Sequence, residues 1–175
     1  GSNEPLDHAV REQAYAAVAE ADLIIFIVDG KSGVHPLDKH LAEILRKSKP
    51  PVLLVVNKMD NLPQDQNHLD FWSLGMGEPI PVSAISGKGS GNLLDLVVSN
   101  LPDQREEEKE KDSIRIAVVG KPNVGKSSFV NRLFGKDRVI VVVAVAIVRD
   151  KVRGGSGASD TGNSGVSEKI LSIQA

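Results

Sequence analysis

No cysteine occurs in the 175 residues, which excludes a disulfide scaffold, a thiolate metal site and a cysteine nucleophile. Aromatic residues are nearly as scarce, at 3%, with Trp72 and Tyr15 each the single example of its kind. The core must therefore come from Val, Ile, Leu and Ala, which favours layers of strands and helices over aromatic stacking platforms. No run approaches the ~18 consecutive apolar residues of a membrane span, and no basic segment followed by an apolar one opens the chain. An excess of charge is missing too: a net charge of −2 argues against a protein that holds nucleic acid by bulk charge. These absences leave a soluble, intracellular reading without membrane partners. The length suits one domain of roughly 100–200 residues or two very small ones.

What is present alternates. Residues 6–20 carry apolar groups at Leu6, Ala9, Val10, Ala14, Ala17 and Val18, the spacing of a helix with one apolar face. Leu23–Val28, LIIFIV, is an unbroken apolar run ended by Asp29-Gly30, as expected of a parallel strand covered on both faces. Residues 36–47 predict a second helix, Val52–Val56 a second strand, Leu69–Leu74 a short helix, Ile80–Val82 a short strand and Asn92–Leu101 a further helix. Residues 103–112, with six acids and three bases, predict a solvated linker or polar helix extension. Ile114–Val119 predicts a third buried strand, 128–134 a helix, and Val139–Val148 a strongly β-prone stretch. Residues 153–168 hold five Gly and four Ser and predict a flexible loop, and the last seven residues could form one more strand. Strands alternating with helices predict an α/β, doubly wound sheet.

Two motifs carry chemistry. Gly120-Lys121-Pro122-Asn123-Val124-Gly125-Lys126-Ser127 satisfies GxxxxGK[ST] between a predicted strand and a predicted helix. Its glycines permit a turn whose N–H groups surround phosphate oxygens at a helix N-terminus. Lys126 would reach the β- and γ-phosphates and Ser127 would offer a hydroxyl to magnesium. Asn57-Lys58-Met59-Asp60 closes the second strand, where a carboxylate can accept two hydrogen bonds from guanine that adenine cannot offer. Taken alone, NKxD is also a common surface string. Ser83-Ala84 follows the next strand, and a backbone N–H there could meet the guanine carbonyl oxygen. The run Ser86–Gly91 serves equally as linker or ligand loop, and Asp29-Gly30 is more simply a strand-terminating turn than a pocket wall. His8, His35, His40 and His68 show no metal-ligand spacing.

GKPNVGKSS, NKMD and VSA resemble the phosphate and guanine motifs of Ras-like P-loop GTPases. The surrounding strings PLDHAVREQA, ADLIIFIVDGKSG and IRIAVVGKPNVGKSSFVNRLFGKDRVIV resemble the tandem-GTPase EngA/Der family over about residues 4–142. The resemblance implies GDP/GTP binding with Mg2+, GTP hydrolysis and a place in ribosome biogenesis on the large subunit, in the cytoplasm or a plastid stroma. It implies that Asn123, Val124, Gly125, Lys126, Ser127 and Ser128 hold phosphates and magnesium, with Lys126 as the catalytic cation. Asn57, Lys58, Asp60, Ser83 and Ala84 would then hold the base. Asn123 matches an asparagine that recruits K+ in some relatives, although turn formation after Pro122 explains it equally well.

Within one such domain the phosphate loop comes first and the base motifs last, whereas here NKMD precedes GKPNVGKS. Residues 4–102 resemble the end of a first G domain, 103–112 a linker and 113–150 the start of a second, with 151–175 a tail or last strand. Two half-domains would leave unpaired strand edges. The expectation is instead one circularly permuted or chimeric domain over residues 1–175, with a mostly parallel sheet of about six strands. An incomplete sheet would make it an oligomer.

Two family parts are altered. The family's first switch carries a threonine pair before Arg-Asp, but residues 144–150 read AVAIVRD. The DxxG that senses the γ-phosphate would lie upstream of Pro5–Ala14, where this chain begins, and Asp160-Thr161-Gly162 has Asn163 in the fourth place. The alternative is a non-catalytic or engineered scaffold that binds GDP and has lost switch function.

Overall fold

Six consecutive apolar residues with no polar face cannot lie on a half-solvated strand, and in the computed structural model Leu23–Asp29 (β1) is buried along its whole length at the centre of the sheet. The structure describes residues 4–62, 64–101, 115–134, 141–145 and 168–171. In chain order the elements are α1 Glu4–Glu20, β1, α2 Pro36–Leu45, β2 Val52–Asn57, a 3-10 helix Asn67–Leu74, β3 Ile80–Pro81 and α3 Ser90–Asn100. β4 Arg115–Val119, α4 Lys126–Phe134, β5 Val141–Val145 and β6 Glu168–Leu171 follow.

The strands lie in the order β3-β2-β1-β4-β5-β6. All neighbours are parallel except β5 and β6, which pair antiparallel. Strand periodicity divides β1 between two layers. Ile24, Phe26 and Val28 join Leu54, Val56, Ala117 and Val119 in a core closed by Val10 and Ala14 of α1 and by Leu37, Leu41 and Leu45 of α2. Leu23, Ile25 and Ile27 join Val55, Ile116 and Val118 in a second core under Leu93 and Val97 of α3 and Phe129 and Val130 of α4. Each Val, Leu, Ile or Phe among them, fully buried, contributes about 1.5–3 kcal/mol. The few aromatics are not spared from the core: Phe26, Phe71 and Phe129 are fully buried among the aliphatic side chains, so the core is not built from Val, Ile, Leu and Ala alone. The doubly wound α/β architecture is therefore as the periodicities predict.

Element ends moved by one to three residues. α4 begins at Lys126 rather than 128, so the motif lysine and Ser127 belong to its first turn. α3 begins at Ser90, taking the end of the 86–91 loop into the helix. α2 stops at Leu45, two residues before the predicted end. His35 turns out to be its cap: its Nδ1 accepts from Leu37 N–H, and Asp38 accepts from His35 N–H at 2.9 Å. Asp38 is fully buried, and burial pushes its carboxyl above the ordinary value. The predicted linker at 103–112, most of 153–168, residues 146–150 of the switch and Asp160-Thr161-Gly162 lie outside the described residues.

Candidate functional site

Three parallel strands end on one side of the sheet: β1 at Asp29, β2 at Asn57, which is in register with it, and β4 at Val119. The turns that follow, with the loop after β3, form one cluster at the carboxyl ends of the strands, where α/β sheets bind ligands.

The loop after β4 leaves the sheet at Gly120. A Cβ there would collide with the carbonyl of Ile27, so only glycine lets this backbone lie against β1. The loop then passes through Asn123, at φ +67°, and Gly125, at φ +90°; asparagine is among the few side chains that tolerate the left-handed region. Val124 is buried beneath it and anchors it to the core. Phe129 N–H donates to Gly125 O at 2.9 Å, which starts α4. The first N–H groups of that helix have no intrahelical acceptor, and its N-terminal end is electropositive. Ser127 and Ser128 are exposed on this turn.

Lys126 is held inside the loop. Its ammonium is buried and donates to the carbonyls of Gly120 and, at 3.4 Å, Lys121, inside its own loop. Burial lowers its pKa to about 7. The two carbonyls engage two of the three ammonium N–H donors, which leaves one for a phosphate oxygen.

The base motif is bound to the phosphate loop by two side chains. Buried Asn57 donates from Nδ2 to Val124 O at 2.9 Å, while its Oδ1 accepts from Ala84 N–H at 3.0 Å. The Ala84 N–H proposed for a guanine carbonyl is thus already engaged by Asn57. Lys58, at φ +67°, donates from Nζ to Asn123 O at 2.8 Å and to Asp29 Oδ2 at 2.7 Å. A lysine in the left-handed region is a strained residue held by its surroundings, and here three loops hold it. Asp60 accepts from Ser83 Oγ at 2.6 Å through Oδ1 and pairs with Lys31 at 2.9 Å through Oδ2. Ser83 and Lys31 together lower its pKa from the ordinary value.

The clamp depends on Gly125. A Cβ there would lie 2.6 Å from Asn57 Nδ2, and the positive φ adds strain for any other residue. Gly125→Ala should therefore destabilise the fold by more than about 1 kcal/mol, read as a lower thermal midpoint. In a double-mutant cycle, Asn57→Ala should remove the steric part of the effect of Gly125→Ala, because it removes the amide that the new methyl group would strike, and leave the strain of the positive φ.

The structure brings together Asn57, Lys58, Asp60, Ser83, Ala84 and the loop Asn123–Ser128, although Asn57 and Val124 stand 67 residues apart in the chain. It adds two that the motifs did not single out. Asp29, taken as a turn residue, accepts from Lys31 N–H, Ser32 N–H and Lys58 Nζ. Burial opposes its charge, but these donors outweigh burial and hold its pKa at about 2. Lys31 reaches Asp60. Their sequence signal was Asp-Gly-Lys at the end of a buried strand, which reads as turn chemistry until the neighbouring strand is known. Among the described residues no group of three or more His, Asp or Glu side chains could hold a metal ion.

Two family models and several curated proteins match the chain. Residues 10–103 match the family described as the elongation factor Tu GTP binding domain, and residues 115–154 match the family described as 50S ribosome-binding GTPase. Among curated relatives, GTPase Der of Heliobacterium modesticaldum is 50% identical over 148 residues, covering 85% of this chain and 34% of the relative. GTPase Der of Gemmatimonas aurantiaca is 50% identical over 147 residues, covering 84% of this chain and 33% of the relative. That of Clostridium perfringens is 48% identical over 151 residues, covering 86% and 34%. The chain thus spans about a third of the length of the curated relatives it matches.

Proposed function

The chain belongs to the EngA/Der family of P-loop GTPases, and from that premise we propose that it binds GDP and GTP at the loop cluster and hydrolyses GTP to GDP and phosphate. The observation that carries this reading is the Asn57 amide, which spans from Val124 O of the phosphate loop to Ala84 N–H of the base loop. One buried side chain thereby holds the phosphate-binding and base-reading loops at a fixed spacing, as a nucleotide requires. The α- and β-phosphates would accept from the N–H groups of Asn123–Ser127, at the electropositive start of α4. Lys126, held by the carbonyls of Gly120 and Lys121, would turn its remaining N–H toward the β- and γ-phosphates. Asp60 would accept from guanine, with Lys58 and Ala84 lining the base.

The donor set fits magnesium in the sense that the exposed Ser127 hydroxyl stands on the first turn of α4 with Ser128 beside it. Magnesium, when bound, neutralises phosphate charge. The exposed side chain of Asn123 is where we would place K+. The single-chain sheet, in which β4 pairs directly with β1, supports one permuted or chimeric domain assembled from residues 4–102 and 113–150. The description attached to residues 115–154 supports the large ribosomal subunit as partner. The comparisons lend nothing to the scaffold reading.

Positions 144 and 145, on β5, are Ala and Val and offer no hydroxyl to a γ-phosphate. GDP and a non-hydrolysable GTP analogue should therefore bind within about tenfold of each other in a titration with fluorescent nucleotide. Multiple-turnover phosphate release in magnesium and potassium should be slow but measurable. GTP bound well beyond tenfold more tightly would overturn the phosphate assignment, and zero turnover would overturn hydrolysis.

A further inference from the structure

We propose that Lys31, in the turn after β1, is a positioning residue of the base pocket: its ammonium holds one oxygen of Asp60 so that the carboxylate faces guanine in a fixed plane. The inference rests on the reading of Asp60 as the guanine acceptor. A carboxylate's terminal torsion is broad and roughly two-fold, and Asp60 is one-third exposed, so its own packing does not fix that torsion. Ser83 Oγ on Oδ1 leaves rotation about one anchor, whereas Lys31 Nζ on Oδ2, at 2.9 Å, supplies a second. Two anchors define the plane. Each oxygen keeps a second lone pair, one for each of the two N–H groups that guanine presents.

The backbone that carries Lys31 is itself held. Its N–H donates to Asp29 Oδ1 at 2.8 Å, and Gly30 N–H donates to Asn57 O at 2.9 Å. A Cβ at Gly30 would lie 2.9 Å from that same carbonyl, so the turn presses on the end of β2. Among the described residues both lysine–aspartate bridges, Lys31–Asp60 and Lys58–Asp29, lie in this cluster. The Lys31 side chain is 65% exposed, and exposed ion pairs add little to folding stability. Its effect should accordingly appear in base discrimination rather than in the melting curve.

The test is competition of GDP and inosine diphosphate, which lacks the 2-amino group, against fluorescent GDP on the full chain. Lys31→Met should lower the GDP-to-inosine-diphosphate preference about fivefold, the lower end of what a bidentate contact carries, with an unchanged thermal midpoint. Lys31→Arg should restore it. In an Asp60→Asn background Lys31→Met should have no further effect on the ratio. An unchanged ratio in Lys31→Met, an equal loss for both nucleotides, or a loss that arginine does not rescue would overturn the proposal. If Asp60→Asn itself leaves the ratio intact, the base-site reading fails instead.

Discussion

Exchanging Asp60 for asparagine should invert the nucleotide preference of this protein, from guanine to xanthine nucleotides. The carboxylate offers two acceptors to the N1–H and 2-amino groups of guanine. An asparagine offers one acceptor and one NH2 donor, and that donor faces the 2-amino group, so one contact becomes repulsive. Xanthine carries a carbonyl at the same position and accepts from the amide. A bidentate contact of this kind carries about 1–3 kcal/mol of discrimination, or roughly 5- to 150-fold in affinity. GDP should weaken by that factor while xanthosine diphosphate gains, both read by competition titration. Two features keep the substitution local: Ser83 Oγ can still donate to the amide oxygen, and Lys31 loses only a solvent-facing partner. A variant that folds normally and still prefers GDP by the wild-type margin would remove Asp60 from the base site.

That experiment addresses one end of a pocket whose two ends share parts. Lys58 touches both Asp29, at the end of β1, and the carbonyl of Asn123, in the phosphate loop. Asn57 does the same between Val124 and Ala84. On the proposed assignment, base and phosphate recognition would be coupled through two neighbouring side chains, one buried and one in a strained backbone conformation. Damage to either should weaken contact with both ends of a nucleotide.

The central strands were legible because burial on both faces leaves almost no polar positions: LIIFIV has none, and Arg115–Val119 only the exposed Arg115 at its start. The 120–127 motif was legible because its glycines lie in one local turn, and NKMD because it closes a buried strand. The less accurate readings concern what a strand end meets in space. Asp29 terminates β1 in sequence terms, but its partner Lys58 is 29 residues away and becomes a neighbour only when β2 pairs in register. The Ala84 N–H looked available for a ligand because the sequence does not show Asn57 Oδ1 against it. Helix starts were misplaced for a related reason. Lys126 and Ser90 follow glycines that read as loop, and it is the close approach of Gly89 to Pro81 and of Gly125 to Asn57 that lets each helix begin so near the sheet.

Replacing Lys126 with alanine should cause the largest loss of nucleotide affinity of any single change in this pocket. In the structure the ammonium is buried against two carbonyls of its own loop, with no carboxylate among the described residues to balance it. Its pKa near 7 follows from that burial. A diphosphate supplies the missing counter-charge, and truncating one member of a desolvated charge pair costs about 2–5 kcal/mol, or roughly 30- to several-thousand-fold in GDP affinity. The sign of the pH dependence follows from the same burial. Below about pH 7 the free protein already holds the proton and affinity is flat. Above it the free lysine is neutral while the nucleotide complex, whose phosphates raise the pKa, is charged. Binding then takes up a proton, and affinity should fall as pH rises, by up to about tenfold per unit. Lys126→Ala should flatten this profile as well as lower it, and calorimetry in buffers of different ionisation enthalpy should show proton uptake at about pH 8 for the wild type alone. Because the substitution removes a buried charge rather than an apolar group, the thermal midpoint of the nucleotide-free protein should hold or rise. A wild-type affinity independent of pH from about 6 to 9, or an alanine variant that retains the slope, would show that Lys126 does not carry the phosphate contact.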